Sequence, residues 1–164
     1  MSSELMRKSF SEQAALVKSK EVSARELTEA AISEIERMNP QLNAVSIPLF
    51  DYALNQVAEL TGDEPFAGVP FLIKDMIAEA AGTEMTEGSR YLKGYISPHD
   101  SELVARYRRA GLIFVGKSNT PEYASKPTTE PLLYGATKNP WDTSLSPAGS
   151  SGGSGAPVAP GMGS

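Results

Sequence analysis

The stretch Gly111-Leu112-Ile113-Phe114-Val115-Gly116-Lys117-Ser118 satisfies the pattern G-x-x-x-x-G-K-[ST] at every fixed position, and its reading decides the fold. A phosphate-binding loop uses its four variable residues as a loop whose N–H groups turn inward, with a strand before the first glycine and a helix after the lysine. Here the order is inverted. Upstream, "HDSELVARYRRAG" predicts a helix over 101–110, with Asp100 placed to cap its first turn, Leu103, Val104 and Tyr107 on one face, and Gly111 as the left-handed stop. The apolar run 112–116 then reads as a core strand whose N–H groups are committed to a sheet, with Lys117 an exposed lysine at its exit. The pattern encodes a strand, not a nucleotide site.

Moving outward, "FLIKD" holds a second short apolar run, too brief and too β-rich for a helix, entered by a turn over Pro65 to Pro70. Strand 71–73, helix 101–110 and strand 112–116 together predict a βαβ crossover with a parallel pair, despite the long, irregular stretch 76–99. Further upstream, "NAVSIPLF" from Asn43 reads as a short strand or extended run, and residues 51–60 read as a helix. "SARELTEAAISEIERMNP" opens on a capping box, Ser23 to Glu26, and sets Leu27, Ala31, Ile35 and Met38 on one stripe before Asn39-Pro40 stops it. Phe10 to Lys18 predicts a shorter amphipathic helix. Downstream, Thr120-Pro121-Glu122 resembles an N-cap with proline at the first helical position, and from Pro127 the chain reads as loop.

Composition bounds the rest. With 164 residues and 40% hydrophobic content the chain has the size of one α/β domain, helical to about residue 60 and α/β over about 61–164. Fifteen basic against twenty acidic residues give a net charge of -5, scattered along the chain, which argues against nucleic acid and anionic membranes as partners. The absence of cysteine removes disulfides, thiolate nucleophiles and Cys-based metal sites, and His99 is the only histidine. The N-terminus carries no apolar leader segment and no run reaches membrane-spanning length, so the expectation is a soluble, cytoplasmic protein.

Chemistry has two candidate locations. "AGSSGGSG" at 148–155 reads by composition as a flexible linker, but "TTEPLLYGATKNPWD" before it offers Tyr134 and Trp141 as anchors, which favours a glycine-rich loop fastened to a folded body. Serines among glycines offer hydroxyls and N–H donors to a reacting group, a combination suited to acyl transfer. A serine needs a base. His99, in "SPHDSE", reads as a solvated surface histidine. Lys74 closes an apolar strand, where desolvation would weaken its hold on a proton; it could equally be a surface lysine that snorkels, and its own surroundings in sequence leave both open.

Several stretches together resemble one family: "GVPFLIKD" around Lys74, "GKSNTPE" at 116–122, "TTEP" and "GATKNPWD" within 128–142, and "AGSSGGSG". The chain resembles the amidase signature family, serine hydrolases with a Ser-cisSer-Lys triad, and within it bacterial amidases acting on nylon oligomers, from roughly Ser11 to Met162. The resemblance implies the N-terminal part of that fold, a mixed β-sheet covered by helices. It implies Lys74 as catalytic lysine, Ser150 as bridging serine after a cis Gly149–Ser150 bond, and Ser151 as a support for the lysine. No cofactor is implied. The implied substrate is a small-molecule amide, attacked by a third serine whose proton passes through Ser150 and Lys74 to the leaving amine. The family also allows a homodimer of the full-length protein.

In family members that third serine lies on a later glycine-rich stretch; Ser164 follows Ser150 too closely and lacks that context. The expectation is therefore a truncated amidase, an N-terminal fragment inactive alone and, with unpaired sheet edges, prone to self-association. Ala148 stands where relatives carry the first glycine of the run, and Pro157 and Pro160 fall where relatives carry an Ala-rich helix. Two further readings remain at this level: a glutamine-hydrolysing amidotransferase subunit of the same family, and a non-catalytic remnant or interaction module.

Overall fold

Local signals set most of the element ends. In this computed structural model, which describes residues 2–158, α1 spans Ser2–Leu5 and α2 spans Phe10–Lys18. The Ser9 hydroxyl accepts from the Glu12 N–H at 3.3 Å while the Glu12 carboxylate accepts from the Ser9 N–H at 2.7 Å, so each residue satisfies an orphan donor of the other. Ser23 and Glu26 do the same at the start of α3, Ala24–Leu42, whose stripe Leu27, Ala31 and Ile35 is fully buried.

Asn39-Pro40 does not stop α3. The helix runs on to Leu42 and ends where Asn43 turns left-handed, at φ 49° and ψ 44°. Pro40 and Glu36 both lie on the exposed side, so the bond lost at the proline leaves a carbonyl that water can serve. Asn39 itself ties the helix to the strand beyond it: its Oδ1 accepts from the N–H groups of Ala44 and Val45, and its Nδ2 donates to the Val45 carbonyl.

The chain then forms β1, Val45–Pro48, and α4, Phe50–Val57. After a turn come β2, Pro70–Lys74, a long irregular segment, and α5, Glu102–Arg109. Ser101 caps α5, not Asp100. The Asp100 carboxylate instead accepts from the Ala81 N–H and grips Arg108, which holds its carboxyl below the usual range. Val104 is buried beneath α5 while Leu103 faces out, so the apolar face is narrower than its periodicity suggested. Gly111 stops α5 at φ +88°, where a Cβ would press into the Ala67 backbone.

β3, Ile113–Ser118, is buried at every position and sits in the middle of a three-stranded sheet of order β1-β3-β2. β2 runs parallel to β3 and β1 antiparallel, a mixed sheet with α5 as the crossover. The parallel ladder slips by one residue: Phe71 pairs with Phe114 but Leu72 pairs with Gly116, bringing Lys74 opposite Ser118. α3 and α4 pack on β3, and one core joins Leu27, Ile35, Leu42, Ile113 and Val115.

Two expectations past β3 change. Thr120-Pro121-Glu122 opens a single 3₁₀ turn over Glu122–Ala124, without a side-chain cap, and no longer helix follows. Within the stretch read as loop, Gly152–Val158 forms a helix, α6, with Pro157 as its sixth residue. Pro160 and Ser164 lie outside the described residues.

Candidate active site

The exit of β2 and the entry of α6 meet. Lys74 Nζ donates to Ser150 Oγ at 2.8 Å and to Ser151 Oγ at 3.1 Å, bridging residues 76 and 77 positions apart. Burial of the amine lowers its pKa from the ordinary lysine value. The Gly149–Ser150 peptide bond is cis. Among the described residues, no third serine hydroxyl is bonded to Ser150.

Four hydroxyls and three glycines fasten this loop. Thr129 Oγ1 donates to the Ala148 carbonyl at 2.9 Å and accepts from the Gly152 N–H at 3.1 Å. Thr120 Oγ1 donates to the Ser150 carbonyl at 3.2 Å, and the hydroxyls of Ser118 and Ser154 lie 2.7 Å apart. A Cβ on Gly149 would stand 2.7 Å from the Thr128 carbonyl, one on Gly152 would strike Thr129 Oγ1, and one on Gly153 would strike the Asn119 backbone. Glycine is required here for close approach between chain segments.

Of the two expected aromatic anchors, Tyr134 is the one held, its side chain hydrogen-bonded to Thr86. Trp141 is 86% exposed, and Tyr134 is half-buried. Polar side chains also hold the 128–142 segment. Asn119 Nδ2 donates to Thr137 Oγ1 at 3.0 Å and to the Gly135 carbonyl at 3.1 Å, Thr137 Oγ1 donates to the Asn43 carbonyl at 2.8 Å, and Asn43 Nδ2 donates to the Tyr134 carbonyl at 2.8 Å. Asn119 directly succeeds β3 and Asn43 caps α3, so this network joins the sheet and the long helix to the loop. No periodic signal marks such residues; their polarity beside a strand end was the only hint.

His99 is 69% exposed and stands 3.3 Å from Glu79, away from this cluster. Lys117, read as an exposed lysine, is fully buried within β3, and its Nζ has no hydrogen-bond partner among the described residues. Desolvation pushes its pKa down to about 8, against the pull of Asp75, Glu79 and Glu84. Asp75, also buried, accepts from both the N–H and the hydroxyl of Thr86.

The chain is similar in sequence and fold to several known proteins. A model of the amidase family matches residues 26–164. The 6-aminohexanoate-cyclic-dimer hydrolase of Paenarthrobacter ureafaciens is 48% identical over 149 residues, covering 90% of this chain and 30% of that protein. A glutamyl-tRNA(Gln) amidotransferase subunit from Maridesulfovibrio salexigens is 42% identical over 165 residues, covering 98% of this chain and 34% of its own length. Among solved structures, 6-aminohexanoate cyclic dimer hydrolase superposes with a TM-score of 0.92 at 44% identity, over 96% of this chain and 33% of that one. A bacterial aryl acylamidase of the amidase signature family gives 0.86 at 34% identity, over 94% and 34%. The chain belongs to the amidase family, with the α/β architecture of its amidase signature enzymes. It spans about a third of the length of the relatives it matches.

Proposed function

We propose that this chain carries the proton-handling part of an enzyme that hydrolyses carbon–nitrogen amide bonds, with Lys74 as base, Ser150 as bridge and Ser151 as a support for the lysine. The observation that carries the reading is the contact of Lys74 Nζ, an amine whose pKa burial lowers, with the two adjacent serine hydroxyls at 2.8 and 3.1 Å. A neutral amine accepts a proton, and a hydroxyl within hydrogen-bond reach passes one on.

The reaction is the one that the resemblance to amidase signature enzymes implies. A further serine attacks the amide carbonyl, its Oγ forming the new C–O bond while its proton moves to Ser150 Oγ and the Ser150 proton moves to Lys74 Nζ. The proton returns by the same path to the nitrogen as the C–N bond breaks, releasing the amine. Water then attacks the acyl-enzyme ester, its proton passing to the relay, which returns it to the departing serine Oγ as the C–O bond breaks and the acid leaves. The substrate is a small-molecule amide; the similarity to the cyclic-dimer hydrolases favours an aliphatic one. Among the described residues no further serine hydroxyl is bonded to Ser150, so on this reading residues 2–158 do not themselves supply the attacking serine.

Intact-mass measurement after exposure to a fluorophosphonate tests the assignment, with Lys74→Ala alongside. The expected result for the folded 164-residue chain is an unchanged mass. Stoichiometric labelling that vanishes in the Lys74→Ala variant would place an activated serine within these residues and overturn the view that the nucleophile lies elsewhere. Trace acetylation across pH tests the base: Lys74 should react with an inflection below that of a free lysine peptide, and an inflection equal to the peptide's would remove Lys74 from the role.

A further inference from the structure

We propose that Thr129 is a positioning residue, setting the Ser150 and Ser151 hydroxyls at their distance from the Lys74 amine; the proposal rests on the assignment of Lys74 as base. Thr129 is fully buried, and its hydroxyl is used in both senses: it donates to the Ala148 carbonyl at 2.9 Å and accepts from the Gly152 N–H at 3.1 Å. Those two groups flank the segment Gly149-Ser150-Ser151, so one oxygen spans both serines that touch the lysine. No backbone group substitutes for it, because a hydroxyl alone offers a donor and an acceptor on one atom.

Thr129 is itself held. Its carbonyl accepts from the Thr137 N–H at 2.9 Å, and Thr137 belongs to the network with Asn43 and Asn119 that ties this segment to α3 and β3. Thr129 is therefore one of the links between the sheet that carries Lys74 and the loop that carries the serines, beside Thr120 and the Ser118–Ser154 contact, and the one that holds both ends of the serine segment. Thr120 restrains the Ser150 carbonyl but reaches neither end of the segment. Loss of the Thr129 hydroxyl removes the partner of the Ala148 carbonyl and leaves the buried Gly152 N–H unpaired, a deficit the loop relieves by moving toward water.

The variants Thr129→Val, which keeps the shape and deletes the hydroxyl, and Thr129→Ser, which keeps the hydroxyl, separate the two roles. The readout is the pH profile of trace acetylation at Lys74, by peptide mass against a free lysine peptide, with circular dichroism to follow the fold. Release of the loop exposes the amine, so Thr129→Val should move the Lys74 inflection up, toward that of the free lysine peptide, while Thr129→Ser keeps the wild-type profile. Hydrogen exchange in the unmutated chain should show the Gly152 N–H slowed about tenfold or more relative to a free peptide.

A folded Thr129→Val chain with the wild-type Lys74 profile would overturn the proposal, as would a Thr129→Ser profile displaced like that of the valine. If the valine variant does not fold, the exchange rate decides: an unprotected Gly152 N–H in the folded wild type overturns the proposal and a protected one, with Thr129→Ser unchanged, supports it. A wild-type Lys74 inflection equal to that of the free peptide would instead bring down the base assignment on which the proposal stands.

Discussion

The ends of the parallel strands β2 and β3 carry one lysine each, and they differ in what surrounds the amine. Lys74 is partly exposed and has two hydroxyl partners; Lys117 is fully buried and has none among the described residues. Desolvation lowers the pKa of both. The contrast separates two things that burial alone confuses. A low pKa makes an amine neutral, but only a partner that can hand over a proton makes that neutrality useful. What gives Lys74 its partners is the glycine–serine loop packed over one side of the sheet; Lys117 lies where no such loop reaches.

The largest effect expected of this difference is on stability. Folded Lys117 keeps its proton up to about pH 8, against 10.5 for an ordinary lysine. Between those values the unfolded chain binds more protons than the folded one, so stability should rise with pH across the window, by about 3 kcal/mol, while below pH 8 the full penalty is present. Lys117→Met should lose that rise. Urea unfolding of both chains from pH 7.5 to 10.5 measures it, and parallel curves would mean that Lys117 finds a partner when the chain is in solution.

A substitution at the loop tests the other side of the contrast. In Gly153→Ala the new methyl would land on the Asn119 backbone, so α6 must shift away from the end of β3, at a cost of about 2 kcal/mol. That shift should make Lys74 behave as an ordinary surface amine and leave the pH response assigned to Lys117 unchanged. Thermal melting together with Lys74 acetylation reports both, and an unaltered Lys74 profile in a destabilised chain would show that the loop does not control the amine.

The smallest effect is expected at Ala148, whose φ of +66° lies in the left-handed region. Ala148→Gly should stabilise the chain by about 1 kcal/mol, less whatever the added freedom of the unfolded chain takes back. A lowered melting temperature would show that the loop gains more from the alanine than the backbone loses.

What was legible in the sequence divides along local and long-range lines. The capping boxes of α2 and α3, the stripe of Leu27, Ala31 and Ile35, the strands on either side of α5 and the stop at Gly111 are written within a few residues of where they act, and the structure places them there. Asp100 was misread because two donors compete for one carboxylate, and Arg108 and Ala81 are reached only after the chain folds back. The helix Gly152–Val158 was hidden by poor helix formers; its first turn is anchored from outside by Thr129 and admitted by glycines beside Asn119. Lys117 was misplaced because its burial depends on the layers over β3, not on its neighbours in sequence. Likewise, Lys74 could be marked as the end of an apolar strand, but its meeting with Ser150 was suggested by family resemblance, since no periodicity joins positions that far apart.

The one-residue slip in the parallel ladder bears on all of this. Val115 is passed over, so Leu72 faces Gly116 and Lys74 faces Ser118. Had the pairing run on evenly from Phe71 and Phe114, the partner of Lys74 would have been Lys117, two ammonium groups abreast in adjoining strands. The bulge acts as a phase shifter: by advancing one strand half a pleat it sorts the lysines onto opposite faces of the sheet, one toward the serines and the other into the acidic interior. A single skipped residue in a strand thus decides which of two amines meets the serine hydroxyls.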